Sequence, residues 1–76
     1  MMFGFLSLPD NWVYITYKDG KRESVSNQDE LTQRDADYFK TIWDKKGNPV
    51  IKVQLLDSND KLLIEYTYNE GVNARD

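Results

Sequence analysis

The chain has 76 residues, of which 30% are charged and 13% aromatic, and its formal net charge is -3. It contains no cysteine and no histidine, which excludes disulfides, Cys/His zinc sites and nucleophile–histidine catalysis. A chain of this length fits one domain with a thin apolar core, and its mixed charges predict no overall basic surface for a nucleic acid or an anionic membrane.

The N-terminal segment, residues 1–10, is apolar and reads MMFGFLSLPD. No Lys or Arg precedes its apolar run and no small-residue cleavage site follows, so we expect a retained segment rather than a signal peptide. The run is also shorter than a membrane span. We expect an arm or a fifth strand that covers the open side of the sheet, or that makes a homodimer with the same segment of a second copy.

Residues 11–18, NWVYITYK, alternate in the manner of a β-strand rich in aromatic and β-branched residues. Val13, Ile15 and Tyr17 share one face, and Trp12 and Tyr14 lie on the other. Asp19-Gly20 then predicts a two-residue hairpin turn. The polar stretch that follows, residues 21–26, is typical of an edge strand.

A helix is predicted next, ending near Gly47, which suits a C-terminal cap. Two capping frames fit its start equally well, Asn27 with Glu30 and Ser26 with Asp29. The apolar residues of this segment lie along one helical stripe: Leu31, Tyr38, Phe39 and Ile42.

Two further strands are predicted, VIKVQLL at residues 50–56 and LLIEYTY at residues 62–68, joined by DSNDK. Residues 69–76 are predicted to be a frayed tail. The element order is therefore β-β-α-β-β over residues 11–68, in a single domain spanning residues 1–76.

This order predicts an α+β fold in which one helix packs on a four-stranded sheet. Apolarity alone places the first and last strands in the middle of the sheet and the polar second strand at an edge. The order resembles the β-grasp order of ubiquitin-like and immunoglobulin-binding bacterial domains, which implies no functional residue because no motif is shared. A fully antiparallel sheet made of the same elements is the alternative.

The sequence predicts no catalytic residue, no cofactor and no metal site. Asp57, Asn59 and Asp60 are spaced like the start of a calcium loop, but Lys61 stands where a third oxygen ligand belongs. We interpret this stretch as a hairpin loop built from turn-forming residues. The acidic residues are scattered along the chain, and we expect a protein that is not an enzyme.

Aromatic residues are more abundant than a thin core requires, and one helix leaves one side of the sheet open. Trp12, Tyr14 and Leu63 are predicted on that open side, and Phe3 and Phe5 lie in the apolar arm. Such side chains are suited to contact another protein, unless the arm folds back to cover them.

We therefore expect a small acidic cytoplasmic protein that binds another protein. Inhibitors and adaptors of the phage or mobile-element type, including anti-defence, immunity and antitoxin-like proteins, have this size and composition. The alternative is a nucleic-acid-binding module, or an acidic mimic of nucleic acid that uses Asp29, Glu30, Asp35 and Asp37. Helix-dipole complementation explains the same acidic residues, and binding to nucleic acid is disfavoured by the net charge.

Overall fold

The computed structural model describes residues 9–68, which fold as four strands and one helix in the predicted α+β order. The elements are β1 (Trp12–Tyr17), β2 (Arg22–Asn27), α1 (Gln33–Asp44), β3 (Val50–Leu56) and β4 (Leu62–Thr67). Residues 1–8 and 69–76 lie outside the described part of the chain. The predictions for the arm, including a fifth strand, and for the C-terminal tail therefore stay predictions.

The sheet is antiparallel throughout, with strand order β2-β1-β3-β4. The fully antiparallel alternative is thus correct, and the β-grasp-like placement of the last strand in the centre is wrong. β3 and β4 are joined by a short hairpin and pair directly, while β3 also pairs with β1. This leaves the apolar β4 at an edge and the mixed strand β3 in the centre.

The core lies between α1 and one face of the sheet. Val13 and Ile15 of β1 and Val53 of β3 are fully buried there, and Phe39 of α1 packs with them at 8% exposure. The other buried members of this cluster are Tyr17, Leu31, Ala36, Val50 and Leu55. The alternation predicted for β1 is therefore confirmed, because every second residue of the strand faces the helix.

Helix α1 begins later than either predicted frame. Its N-cap is Thr32, whose side chain accepts a hydrogen bond from the Asp35 backbone N–H at 3.1 Å, and the Asp35 carboxylate in turn accepts one from the Thr32 backbone N–H. Ser26 and Asn27 belong instead to β2, where they pair with Val13 and Trp12 of β1. The pairing of β2 with β1 therefore determines where the helix begins, because it occupies Ser26 and Asn27 and leaves Thr32 as the cap.

The predicted two-residue turn at Asp19-Gly20 is also wrong, because the loop has three residues. The Tyr17 N–H donates to the Lys21 carbonyl, and the Gly20 N–H donates to the Tyr17 carbonyl, both within 2.9 Å. Gly20 has φ +95°, but Asp19 lacks the positive φ that a type I′ turn requires at both central positions. The second hairpin has the same pattern of bonds, with Asp60 at φ 65° in the position that corresponds to Gly20.

Candidate interface on the open sheet face

The side of the sheet opposite α1, which we call the open face, is organised in three rows that run across the strands. The pairings β2–β1, β1–β3 and β3–β4 align one residue from each strand in each row. The cationic row is Arg22, Thr16, Lys52 and Thr67. The polar row is Ser24, Tyr14, Gln54 and Glu65. The apolar row is Asn27, Trp12, Leu56 and Leu62, with Leu63 beside Leu62.

The apolar row places large side chains in contact with solvent. Trp12 is 44% exposed, Leu62 47% and Leu63 46%, and Trp12 and Leu62 pair with the buried Leu56 from its two sides. A bulge in β4 creates this arrangement, because Leu55 aligns with Ile64 whereas the next residue, Leu56, aligns with Leu62. Leu63 is the extra residue of the bulge. Two leucines of β4 therefore lie at one end of the open face.

The polar row is held by interactions within the sheet. The Arg22 guanidinium lies over the Tyr14 ring, 4.5 Å from its centroid. The Gln54 amide donates a hydrogen bond of 2.7 Å to the Glu65 carboxylate across β3 and β4. Tyr14 is therefore partly covered by Arg22, and the acid of this row already has a partner.

The cationic row carries two positive side chains and two hydroxyl groups. Arg22 and Lys52 both align with Thr16, one from each side. Neither Arg22 nor Lys52 forms an ion pair with a carboxylate of residues 9–68. This end of the open face therefore presents positive charge that the described part of the chain does not neutralise.

The strand pairings place Trp12 and Tyr14 on the open face, as the alternation of β1 predicts, and Leu63 lies beside Leu62 as the extra residue of the β4 bulge. Phe3 and Phe5, the other two residues of the predicted interface, lie outside the described residues. Sequence reasoning missed four members of the face: Leu56, Leu62, Arg22 and Lys52. The run Leu62-Leu63-Ile64 breaks strand alternation, which was the signal for a bulge that exposes Leu62.

Two of the four acidic residues considered as a nucleic-acid mimic have a role within the fold. Asp35 belongs to the capping box, and Asp37 accepts hydrogen bonds from the Tyr68 hydroxyl at 2.8 Å and from Gln33 at 2.9 Å. Burial, followed by the bond to Asp37, raises the pKa of Tyr68 above its ordinary value. Asp29 and Glu30 have exposed side chains in the loop before α1.

The Asp57 carboxylate is used to build its own hairpin loop. It accepts the backbone N–H groups of Asn59 at 2.8 Å and Lys61 at 2.9 Å, with the Lys61 bond contributing most to lowering the pKa of Asp57. The described residues contain no group of three or more acidic side chains placed to hold a metal ion, and they enclose no pocket.

The chain matches no protein-family model, and neither the curated proteins nor the solved structures include a significantly similar one. In the part of the chain from Pro9 to Tyr68, no helix has the length and apolarity needed to span a bilayer. The fold and the open face are therefore the observations from which function has to be argued.

Proposed function

We propose that this chain is a non-enzymatic module that binds another protein through its open face. The observation that carries the proposal is the exposed apolar row of Trp12, Leu62 and Leu63 around Leu56. Within this proposal, the protein acts in the cytoplasm as an inhibitor or adaptor of the type made by phages and mobile elements. Its small size, acidity and lack of Cys and His support that class.

Exposed Trp and Leu side chains on a rigid sheet are effective anchors for a partner. Fully burying one such side chain contributes about 1.5–3 kcal/mol, and these three are already half-buried, so each would contribute less. Aromatic anchors near the centre of an interface commonly dominate its binding energy. The row also needs little ordering on binding, because the strand pairings already fix its backbone.

Site-directed photo-crosslinking in cells that express the full chain tests the proposal. A photoreactive phenylalanine analogue is placed at Leu63, and in a matched chain at Tyr38, which is 60% exposed on α1. We expect a discrete covalent adduct with another protein from position 63, and none from position 38. The Leu62→Lys substitution should abolish the adduct. Equal adducts from both positions, or none from position 63, would contradict the proposal.

The apolar arm is part of the same proposal, with Phe3 and Phe5 as further contacts to the partner or to a second copy. Deleting residues 2–8 from the full chain separates these roles. Loss of a dimer, measured by light scattering, assigns the arm to self-association. Loss of the position 63 adduct with unchanged mass assigns it to the partner, and unchanged mass and adduct remove the arm from the proposal.

The alternative proposal is a nucleic-acid mimic that presents acidic side chains to a basic partner. It is supported by the exposed Asp29 and Glu30, whereas Asp35 and Asp37 already serve the helix cap and Tyr68. Binding by a mimic should weaken steeply as salt rises, whereas binding through the apolar row should weaken far less, because its main contacts are uncharged. Measuring the dissociation constant of the crosslinked partner at two salt concentrations distinguishes the two.

A further inference from the structure

We infer that the segment recognised by the open face is itself polarised, with apolar side chains at the apolar row and carboxylates at the cationic row. This inference rests on the proposed function and adds the chemistry of the partner. Its basis is the order of the three rows, which places the two kinds of surface at opposite ends of one face.

The charge of the open face is opposite to that of the chain. The whole sequence has a formal net charge of -3, yet the cationic row holds Arg22 and Lys52 without a carboxylate of residues 9–68 paired to either. Glu65, the acid of the polar row, accepts hydrogen bonds from the neutral Gln54 amide and Thr67 hydroxyl and keeps its negative charge, so Arg22, Lys52 and Glu65 together leave the face at +1. A partner that places carboxylates over the cationic row would neutralise Arg22 and Lys52. The positive end of the open face would also attract such a partner during its approach, although the rest of the molecule is acidic.

The distance between the two ends limits the shape of the segment. Trp12 and Thr16 mark the apolar and cationic rows on β1, four residues apart, which is about 13 Å at the usual rise of a strand. An extended segment spans this distance in about four residues, whereas a helix needs about nine. The simplest ligand is therefore a short peptide with an apolar residue at one end and Asp or Glu about four residues away.

A second copy of the chain does not fit this face. Two copies stacked face to face about a two-fold axis along the strands place the cationic row on itself. An axis across the strands places the cationic row on the apolar row instead. The first arrangement opposes like charges, and the second desolvates Arg22 and Lys52 against leucine and tryptophan.

Single-stranded nucleic acid fits less well than an acidic peptide. Its phosphates suit the cationic row, but stacking of bases requires free aromatic faces. The apolar row contains only one aromatic residue, Trp12, among leucines, and the Tyr14 ring is covered by Arg22. Two cations also give little of the phosphate neutralisation on which affinity for nucleic acid depends.

The test is selection of 12-residue peptides from a random displayed library on the immobilised full chain. We expect enriched peptides to combine an aromatic or aliphatic residue with Asp or Glu about four positions away. Charge reversal with Arg22→Glu and Lys52→Glu together should weaken the best peptide about tenfold, the effect expected for two exposed ion pairs. The control is Arg34→Glu with Lys45→Glu, which changes the net charge equally at exposed positions of the helix region and should leave binding unchanged.

The outcomes separate this inference from the proposed function. Peptides that require Leu62 and Leu63 but show no acidic preference, and that tolerate charge reversal, overturn the inference and leave the proposed function standing. Peptides whose binding is unaffected by Leu62→Lys contradict both. If a 20-residue oligothymidylate binds more tightly than any selected peptide, and charge reversal abolishes its binding, the open face binds nucleic acid. That result overturns the inference. Thermal unfolding of each variant measures whether the fold is retained. Arg22→Gln with Lys52→Gln, which removes both charges without reversing them, is the milder double variant.

Discussion

At the residue scale, Phe39 and Tyr38 are neighbours on α1 with opposite environments. Phe39 is 8% exposed in the core and Tyr38 is 60% exposed. We expect Phe39→Ala to cost about 3–5 kcal/mol in the free energy of unfolding, because it removes an aromatic ring from the core and leaves a cavity. Tyr38→Ala should cost below about 1 kcal/mol. Urea denaturation measures both, and similar losses would contradict this assignment of the helix faces.

The two hairpin loops provide a second comparison between single residues. Asp60 adopts φ 65°, a conformation that costs a residue with a Cβ atom about 1–2 kcal/mol and that glycine adopts freely. We expect Asp60→Gly to stabilise the protein by about 0.5–1 kcal/mol. Gly20→Val should destabilise it by about 1–3 kcal/mol through the backbone alone, because no atom lies within 4 Å of a Cβ at that position. Loss of stability in Asp60→Gly would contradict the common loop geometry.

Tyr17 makes stability depend on alkaline pH. Burial, and then its 2.6 Å hydrogen bond to Glu23, raise the pKa of Tyr17 from 10.0 to about 12. Because the folded state holds the neutral phenol, this stabilisation is present below pH 10 and is lost as pH rises toward 12. We expect Tyr17→Phe to lose less stability than the unchanged protein between pH 9 and about 11.5. Urea denaturation at pH 9 and at about pH 11.5 measures the stability lost by each protein. Equal losses in Tyr17→Phe and in the unchanged protein would contradict the raised pKa of Tyr17.

At the scale of elements, residue patterns correctly predicted which segments form strands and which forms the helix. The alternation of β1 is local and is buried as expected, but the predicted helical stripe is only partly correct: Phe39 is buried in α1, Leu31 is buried ahead of the helix start, and Tyr38 is 60% exposed. Strand order was not predictable from apolarity, because β4 uses Leu62 and Leu63 on an exposed edge rather than in the core. Part of the candidate interface could not be predicted from the sequence either, because the β4 bulge that exposes Leu62 is defined only by the pairing of β4 with β3.

The start of α1 gives an element-scale prediction. Thr32 forms a reciprocal capping box with Asp35, so Thr32→Ala removes the acceptor for one free N–H group of the first turn. We expect a loss of about 1 kcal/mol in the free energy of unfolding. Thr41→Ala is the control in the same helix, because Thr41 is exposed and its hydroxyl bonds only to the Asp37 carbonyl one turn earlier. A larger loss in Thr41→Ala than in Thr32→Ala would contradict the observed helix start.

At the scale of the whole molecule, the fold separates two surfaces of different chemistry. The capping box and the Lys40–Asp44 ion pair, at 2.8 Å, hold acidic groups on the helix side. The opposite side carries the apolar row, with Arg22 and Lys52 at its other end. One helix on one sheet therefore produces a two-sided module in which the core requires only one face of the sheet.

The same polarity predicts how the molecule associates with itself through the open face. Replacing Arg22 and Lys52 together with Leu removes the charges that oppose both two-fold arrangements and extends the apolar surface across the face. We expect this variant to form dimers or larger species at about 100 µM in sedimentation velocity, because larger exposed apolar patches drive association. Arg34→Leu with Lys45→Leu, the matched change at exposed positions of the helix region, should not. If the unchanged protein already dimerises and Leu63→Lys returns it to monomer, the open face binds a second copy despite its charges, contrary to this prediction.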